Sequence, residues 1–259
     1  MAKDLKISIL QLDIAWHDPE KNFQRVLDLS ANLDTDILVL PEMYSTGFTM
    51  EAEKFSEDLL TQSREFLSQL AKKRNCLVIA SCIQKNEGKY YNALYTAFPD
   101  GQQYRYNKKH LFSFANEPKH YSPGGEKLMV NYQGWQINPL VCYDLRFPVF
   151  CRSTALQRFD IQVFVANWPK ARVSAWETLL KARAIENQCF VVGVNRCGED
   201  GNGIEYNGKS VVIDPYGNPI CSCEDSKEEV QSCTIQYDDL QAFRKKFPVL
   251  EDADPFTLL

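Results

Sequence analysis

The chain has 259 residues, 44% of them hydrophobic, and a formal net charge of −5 at pH 7. Positive and negative side chains are interleaved, so the sequence lacks the basic stripe that neutralises nucleic-acid phosphates. No segment approaches the roughly 20 uninterrupted apolar residues of a membrane span. These features argue against nucleic-acid-binding and membrane-spanning classes, and they favour one large α/β domain over residues 1–259.

The first part of the chain alternates between strand-like and helical patterns. Alternation of apolar and polar residues predicts a strand at 5–14, and further strands are predicted at 36–40 and 76–83. Helical spacing of apolar residues predicts helices at 22–33 and 59–73. The order β-α-β-α-β is typical of an α/β layered fold.

The middle and end of the chain are richer in strands. Short strands are predicted at 90–98, 102–106, 127–132, 135–141, 162–166, 190–194, 210–214 and 230–236, with a helix at 174–188. A short helix is expected from Asp238, followed by a polar C-terminal tail from about residue 240. Because strands outnumber helices, two sheets with helices outside them fit better than one doubly wound sheet.

The nine cysteines are an odd number, and most lie inside apolar strands. Buried thiols in a reducing compartment explain this pattern better than disulfides do. The N-terminus also lacks the apolar core of a signal peptide, so we expect a cytoplasmic protein. None of the three histidines has metal-ligand spacing to a cysteine pair, and no metal site is expected.

Three predicted strand ends carry side chains suited to catalysis. Cys142 ends the apolar run at 137–141, Glu42 follows the strand at 36–40, and Lys108 lies where the strand at 102–106 stops. A thiol has a pKa of about 8.5 and needs a proton acceptor or a nearby cation to act as a nucleophile. The sequence therefore offers a thiol, a carboxylate and an ammonium that could work together.

The contexts of these residues resemble the motifs of the nitrilase superfamily, the carbon–nitrogen hydrolases. The glutamate motif matches residues 38–43, the lysine motif 106–112 and the cysteine motif 140–148. Residues 166–169 and 182–188 agree as well, and the similarity extends from about residue 7 to residue 239.

The resemblance implies a role for each matched residue. It places the catalytic base on Glu42, the catalytic lysine on Lys108, two positions before His110, and the nucleophile on Cys142. A second glutamate that holds the site together in many members matches Glu117. The family also implies a four-layer αββα sandwich, a homodimer, and no metal or organic cofactor.

Within the superfamily, residues 43–48 and 142–149 are most similar to the bacterial omega-amidase group. This similarity implies hydrolysis of the terminal amide of 2-oxoglutaramate, 2-oxosuccinamate and related 2-oxo acid amides. Other readings stay open: a nitrile, an N-carbamoyl compound or another linear amide as substrate, or a non-catalytic binding protein on the same fold.

The implied reaction passes through a thioester. Cys142 is expected to attack the amide carbonyl after giving its proton to Glu42, which then protonates the departing ammonia and activates water. Lys108 and the backbone N–H of Tyr143 are expected to stabilise the oxyanion.

A substrate carboxylate needs a cationic partner, and arginine gives the better bidentate fit. The candidates are Lys170, Arg172 and Arg196. We select Arg172, with Phe48 and Trp168 as aromatic walls of the pocket.

Two further segments are expected to be structural. Arg146 is expected to pair with Asp144 or another acid beneath the nucleophile turn. The Gly- and Asn-rich stretch at 198–203 is expected to form a hairpin or a rim loop.

Overall fold

The computed structural model describes residues 2–154, 157–254 and 256. Its strands are β1 Leu5–Gln11, β2 Ile37–Val39, β3 Leu77–Asn86, β4 Lys89–Ala97, β5 Gln103–Asn107, β6 Val130–Tyr132, β7 Trp135–Val141, β8 Ile161–Ala166, β9 Phe190–Asn195, β10 Cys197–Glu199, β11 Glu205–Asn207, β12 Val211–Ile213, β13 Pro219–Ser222 and β14 Glu229–Ile235. Its α-helices are α1 Pro19–Leu29, α2 Glu57–Arg74, α3 Pro148–Cys151, α4 Val173–Asn187 and α5 Tyr237–Lys246.

Two six-stranded sheets form the centre of the fold. The first has the order β14-β1-β2-β3-β4-β5 and the second the order β13-β12-β9-β8-β7-β6. Strands β1, β2 and β3 run parallel to one another, as do β7, β8 and β9. Parallel neighbours place their carboxyl ends at one edge of a sheet, which is where loops build sites in α/β folds.

The first sheet is buried on both faces. Ile37 and Val39 join the core shared with the second sheet, while Leu38 and Leu40 join the core beneath the first two helices. This alternation follows from the period of two in a strand. Val26 of α1 and Leu67 of α2 belong to the second of these cores, so α1 and α2 form the outer layer.

Helix α4 covers the other side of the molecule. Its buried residues Trp176, Leu180 and Ala184 pack in the same core as Val163 and Val192 of the second sheet. The layers are therefore helix, sheet, sheet and helix, and the predicted four-layer αββα sandwich is confirmed.

Local signals fix the two N-terminal helices. Asp18 caps α1 by accepting a hydrogen bond from the backbone of Lys21, and Ser56 caps α2 in the same way through Leu59. Helix α2 ends at Arg74 and is followed by Asn75 as its C-terminal cap. The φ of Asn75 is 50°, in the left-handed region that commonly terminates helices.

Most predicted elements occur, with ends shifted by a few residues. Strand β13 was not predicted. A hairpin or rim loop was expected around residues 198–203 without strand bounds, and the structure has a hairpin there, formed by β10 and β11. The last helix, α5, runs to Lys246, past the expected start of the tail near residue 240. The ends of the expected single domain, residue 1 and residues 255 and 257–259, lie outside the described residues.

Candidate active site

The three candidate catalytic residues follow strands that open on the same side of the molecule. Glu42 lies three residues beyond β2, Lys108 directly follows β5, and Cys142 directly follows β7. Strand β4 is antiparallel to both β3 and β5, so β5 runs in the direction of β2 and β3. The two facing sheets thus bring a carboxylate, an ammonium and a thiol together.

A buried ion cluster surrounds Lys108. Its Nζ lies 2.9 Å from Glu42 Oε1, and 3.1 Å and 3.0 Å from Glu117 Oε1 and Oε2. Asn92 Nδ2 bridges the two glutamates, donating to Glu42 Oε1 at 2.7 Å and to Glu117 Oε1 at 3.3 Å. All four side chains are buried, which strengthens each charged contact because water cannot screen it.

Glu42 is also held from the side of the second sheet. The backbone N–H of Asn167 donates to Glu42 Oε2 at 2.8 Å, and the Asn167 side-chain amide donates to the Glu42 carbonyl at 2.5 Å. The Cys142 thiol lies beside this cluster, since its Sγ lies 4.0 Å from the Asn167 carbonyl oxygen and the charge of Glu42 acts on its pKa. Glu42 therefore has a fixed orientation with one oxygen facing Lys108 and the other facing the β8 end.

The nucleophile candidate lies in a strained backbone conformation. Cys142 has a φ of 44° and begins a 3₁₀ helix, Cys142–Arg146, directly after the last residue of β7. A left-handed conformation costs a non-glycine residue of the order of 1–2 kcal/mol, and such strain concentrates at functional turns. The turn exposes the thiol and leaves the first N–H groups of the helix, including that of Tyr143, free of intrahelical partners.

Asp144 ties the nucleophile turn to the loop that carries Lys108. One carboxylate oxygen accepts from the backbone N–H of Val141 at 3.0 Å and from the Tyr106 hydroxyl at 2.8 Å. The other accepts from the His110 backbone at 3.0 Å and lies 2.8 Å from His110 Nδ1. The expected pairing of Arg146 with Asp144 is wrong, because these partners already occupy the carboxylate.

The site shifts proton affinities in a consistent direction. Burial, followed by the charge of Glu42, raises the pKa of the Cys142 thiol well above its usual value. Burial alone would lower the pKa of Lys108, but the charges of Glu117 and Glu42 raise it overall. Burial, with the charge of Glu42, also raises the pKa of Glu117. At neutral pH the resting thiol is therefore protonated and the lysine charged, so the thiol needs a base before it can attack.

The thiol and the ammonium open into a cavity of about 580 Å³, a size typical of small-molecule sites. Its walls are largely aromatic: Trp16, Phe48, Phe112, Phe114, Tyr143, Trp168 and Tyr206. The Phe48 ring lies 5.1 Å from Lys108 Nζ. The β10–β11 hairpin contributes Asp200, Asn202 and Ile204.

Two arginines reach the cavity, and only one of them was expected to. Arg172 lies over the rings of Phe112 and Phe114, at 5.4 Å and 5.7 Å. Arg146 stacks on Trp168 at 4.8 Å and lines the same cavity.

The other two candidates for the substrate carboxylate lie elsewhere. Lys170 forms an exposed ion pair with Glu205, and the fully buried Arg196 contacts Asp13. Neither lines the cavity.

Sequence reasoning missed Asn92 and Asn167 as members of the cluster. Asn167 belongs to the motif at 166–169, to which the sequence analysis assigned no function. Its position directly after β8, like that of Cys142 after β7, is the signal that could have identified it. Asn92 lies inside β4 opposite Ile83, and only the observed strand pairing shows that it faces the two glutamates.

Two features are absent from the part of the chain that the structure describes. No group of three or more His, Cys, Asp or Glu side chains there could hold a metal ion. Over the same residues, no helix has the length and apolar character needed to cross a membrane.

Known proteins share this architecture over their whole length. A carbon–nitrogen hydrolase superfamily protein of Xanthomonas campestris, solved with an arsenic adduct in its active site, is 43% identical, with a TM-score of 0.96 and 99% of each chain covered. An omega-amidase (YafV) of Yersinia enterocolitica is 39% identical over 98% of this chain and 99% of its own. A 2-oxoglutaramate amidase of Bacillus subtilis is 32% identical over 95% and 96%.

The layered fold and these relatives place the protein in the nitrilase superfamily, whose members are built on this sandwich. The carbon–nitrogen hydrolase family matches residues 6–245, and the chain belongs to that family. It is an enzyme of the amidase type.

Proposed function

We propose that this enzyme hydrolyses the terminal carboxamide of small 2-oxo acid amides, such as 2-oxoglutaramate and 2-oxosuccinamate, to the 2-oxo acid and ammonia. The observation that carries the proposal is the 2.9 Å contact between Lys108 Nζ and Glu42 beside the Cys142 thiol, in a cavity lined by Lys108, Cys142 and Arg172. The relatives named omega-amidase and 2-oxoglutaramate amidase support the choice of substrate.

In the first half of the reaction, Cys142 attacks the amide carbon as its proton passes to Glu42. The charge of Glu42 acts on the thiol and raises its pKa, so this carboxylate is the base near enough to take the proton. Lys108 Nζ and the backbone N–H of Tyr143 stabilise the tetrahedral oxyanion, each well-placed donor contributing about 3–4 kcal/mol. Glu42 then protonates the nitrogen, the carbon–nitrogen bond breaks, and ammonia leaves a thioester on Cys142.

In the second half, water replaces ammonia. Glu42, ionised again, takes a proton from water as it attacks the thioester carbonyl, and the same donors hold the second oxyanion. Collapse releases the carboxylic acid and returns the proton to the Cys142 sulfur. Glu117 positions the lysine for both halves, since both of its oxygens lie within 3.1 Å of Lys108 Nζ.

The carboxylate end of the substrate, away from the amide, binds to a positively charged part of the cavity. Arg172 binds the substrate carboxylate, with Phe48 and Trp168 enclosing the carbon chain. A planar guanidinium matches a carboxylate in a bidentate way, which a lysine cannot do.

The test is ammonia release from 2-oxoglutaramate, glutamine and a simple nitrile, with wild type, Cys142→Ala and Glu42→Gln. We expect rapid release from the 2-oxo amide by wild type and a loss of at least about 1,000-fold in both variants, since each removes a group that acts as part of one unit. Equal thermal unfolding of wild type and Cys142→Ala would separate lost chemistry from lost folding.

Two outcomes would contradict the proposal. Normal turnover by Glu42→Gln would refute the proton path. Ammonia together with carbon dioxide from an N-carbamoyl compound, and none from 2-oxoglutaramate, would keep the thiol chemistry but change the substrate class.

We further propose a cytoplasmic, single-domain protein that forms a homodimer. All nine cysteines are free thiols, which suits a reducing compartment. Val149 on α3 and Ile185 on α4 are exposed apolar residues on helices. Their exposure supports contact between two protomers through this side of the molecule.

A further inference from the structure

The cavity holds two guanidinium groups for one expected substrate carboxylate. Arg146 and Arg172 are both half-buried and line the cavity beside Cys142 and Lys108. Each is held by aromatic rings: Arg146 by Trp168, and Arg172 by Phe112 and Phe114. Trp168 links the pair, because its Nε1 donates to the Arg172 carbonyl at 2.8 Å.

Three other arginines, whose side chains are at most 11% exposed, are paired with acids. Arg183 contacts Glu186, Arg196 contacts Asp13 and Arg244 contacts Asp160, at 2.8, 3.3 and 2.6 Å. Within residues 2–154, 157–254 and 256, Arg146 and Arg172 make no ion pair. Two partly desolvated cations that face a cavity and have no acidic partner of their own favour an anionic ligand there.

The acidic side chains that line the cavity are already engaged. Asp200 accepts hydrogen bonds from the Tyr206 hydroxyl and from the backbone N–H groups of Asn202 and Ile204. Glu51 forms an ion pair with Lys54 at 2.6 Å. Both carboxylates therefore already have partners, whereas Arg146 and Arg172 have no acidic partner within the described residues.

We propose that Arg146 is a specificity-determining residue that binds the 2-oxo oxygen of the substrate, while Arg172 binds the adjacent carboxylate. The proposal rests on the function proposed above. A 2-oxo acid end presents only acceptors to the two guanidinium groups, whereas the 2-ammonium of an amino acid amide would face like charge and find no free acid. The pair thus selects 2-oxo acid amides against amino acid amides such as glutamine.

The positions of Arg146 and Arg172 relative to Cys142 decide which of them binds the 2-oxo group and which binds the carboxylate. Arg146 lies in the 3₁₀ helix that begins with Cys142, and residues three apart in such a helix share a face, so Tyr143 and Arg146 both reach the cavity. Arg172 lies in a separate segment, next to the exposed Phe114. Along the substrate, the 2-oxo group lies nearer to the amide than the carboxylate does, which matches Arg146 near the nucleophile and Arg172 further out.

The experiment compares kcat/KM for three amides that differ at one carbon: 2-oxoglutaramate, its analogue glutaramate without the oxo group, and glutamine. We expect Arg146→Gln to lower the value for 2-oxoglutaramate by about 10- to 100-fold, the usual effect of losing a hydrogen bond to a charged group. Glutaramate should change by less than about threefold, and glutamine should stay equal or improve. Arg172→Gln should weaken all three, since all carry the carboxylate.

Two variants serve as controls. Lys170→Gln removes a neighbouring exposed cation that pairs with Glu205 and should leave all three values unchanged. Arg146→Lys keeps the charge and loses the planar fork, so it should fall between wild type and Arg146→Gln. Retained glutaramate turnover in Arg146→Gln shows that this variant folds.

The outcomes separate the inference from the function on which it rests. Equal losses for 2-oxoglutaramate and glutaramate in Arg146→Gln would overturn the role of Arg146 while the amidase function stands. Wild type that hydrolyses glutamine as well as it does 2-oxoglutaramate would overturn the selection by charge. Wild type that leaves 2-oxoglutaramate intact would overturn both.

Discussion

At the scale of single residues, the site concentrates charge where water cannot reach. Glu42, Lys108 and Glu117 are all buried, so two carboxylates share one ammonium and the amide of Asn92. Taking one partner from such a buried set leaves an uncompensated charge, which typically costs about 3–5 kcal/mol. The neighbouring Lys109 is exposed and takes no part in the cluster.

The adjacent lysines therefore provide a matched pair of variants. We expect Lys108→Ala to abolish amide hydrolysis and to lower the unfolding temperature, because Glu42 and Glu117 lose their shared cation. Lys109→Ala should retain activity and stability. Ammonia release and thermal unfolding measure both effects. The reverse pattern, with Lys109→Ala inactive and Lys108→Ala active, would place the catalytic lysine one position further on.

A second residue-scale prediction concerns Asp144, which acts through its neighbours. Its carboxylate joins the backbone N–H of Val141, the residue before Cys142, to the loop that follows Lys108. Both oxygens of Asp144 accept hydrogen bonds, so in Asp144→Asn the amide NH₂ must face at least one donor. We therefore expect kcat to fall at least about tenfold and the free energy of unfolding to fall by about 1–3 kcal/mol. KM should change little, since Asp144 does not line the cavity.

Steady-state kinetics and chemical denaturation check this prediction, with the exposed Glu177→Gln on α4 as the control. An Asp144→Asn enzyme with wild-type kcat and lower stability would show that Asp144 supports the fold without positioning the nucleophile.

At the scale of elements, the β3–β4 hairpin carries a conformational cost that can be relieved. Its connection is Glu87-Gly88, and both residues have positive φ, 49° and 74°. Such a two-residue turn favours Asn-Gly, because asparagine tolerates the left-handed region better than glutamate does. We expect Glu87→Asn to stabilise the fold by about 0.5–1 kcal/mol.

The readout is the unfolding temperature, which should rise by about 1–4 °C for a chain of this length. Glu87→Val is the opposite control, since a β-branched residue at positive φ should lower it. Glu87 is exposed and does not line the cavity, so kcat should not change. A lower unfolding temperature for Glu87→Asn would contradict the argument.

The sequence predicts elements well where periodicity and burial agree. Strands β2, β7, β8 and β9 are mostly apolar and mostly buried, and each was predicted to within about a residue at its ends. Strand β13 was missed because it is an exposed edge strand, so its residues show no alternation between buried and exposed positions.

In the site, too, some residues have a clear local sequence signal and others do not. Glu42, Lys108 and Cys142 follow strands and could be predicted from local context and family motifs. The roles of Asn92 and Arg146 depend on which side chains face each other across sheets and loops, and local sequence does not contain that information. Arg146 was expected to pair with the acid two residues away, yet the partners of Asp144 come from 34 and 38 residues away.

At the scale of the whole molecule, apolar groups are exposed around the ends of α4 and α5. Ile185, Tyr216, Ile220 and Phe247 are 54%, 61%, 40% and 58% exposed. The Tyr216 and Phe243 rings contact each other at a centroid distance of 4.1 Å, and Tyr216 and Ile220 line one groove. Contiguous apolar surface of this kind commonly marks a contact between proteins.

The proposed homodimer uses this side of the sandwich, together with Val149 on α3, which is 52% exposed. Light scattering should give twice the chain mass of 29.8 kDa for wild type. Ile185→Glu places a charge at the contact and should raise the dimer dissociation constant at least about tenfold, since burial of an unpaired charge is costly. Phe114→Glu, at an apolar site on the cavity rim that is 82% exposed, should leave the mass unchanged. A monomeric wild type would refute the dimer, and an unchanged dimer in Ile185→Glu would place the contact on another face.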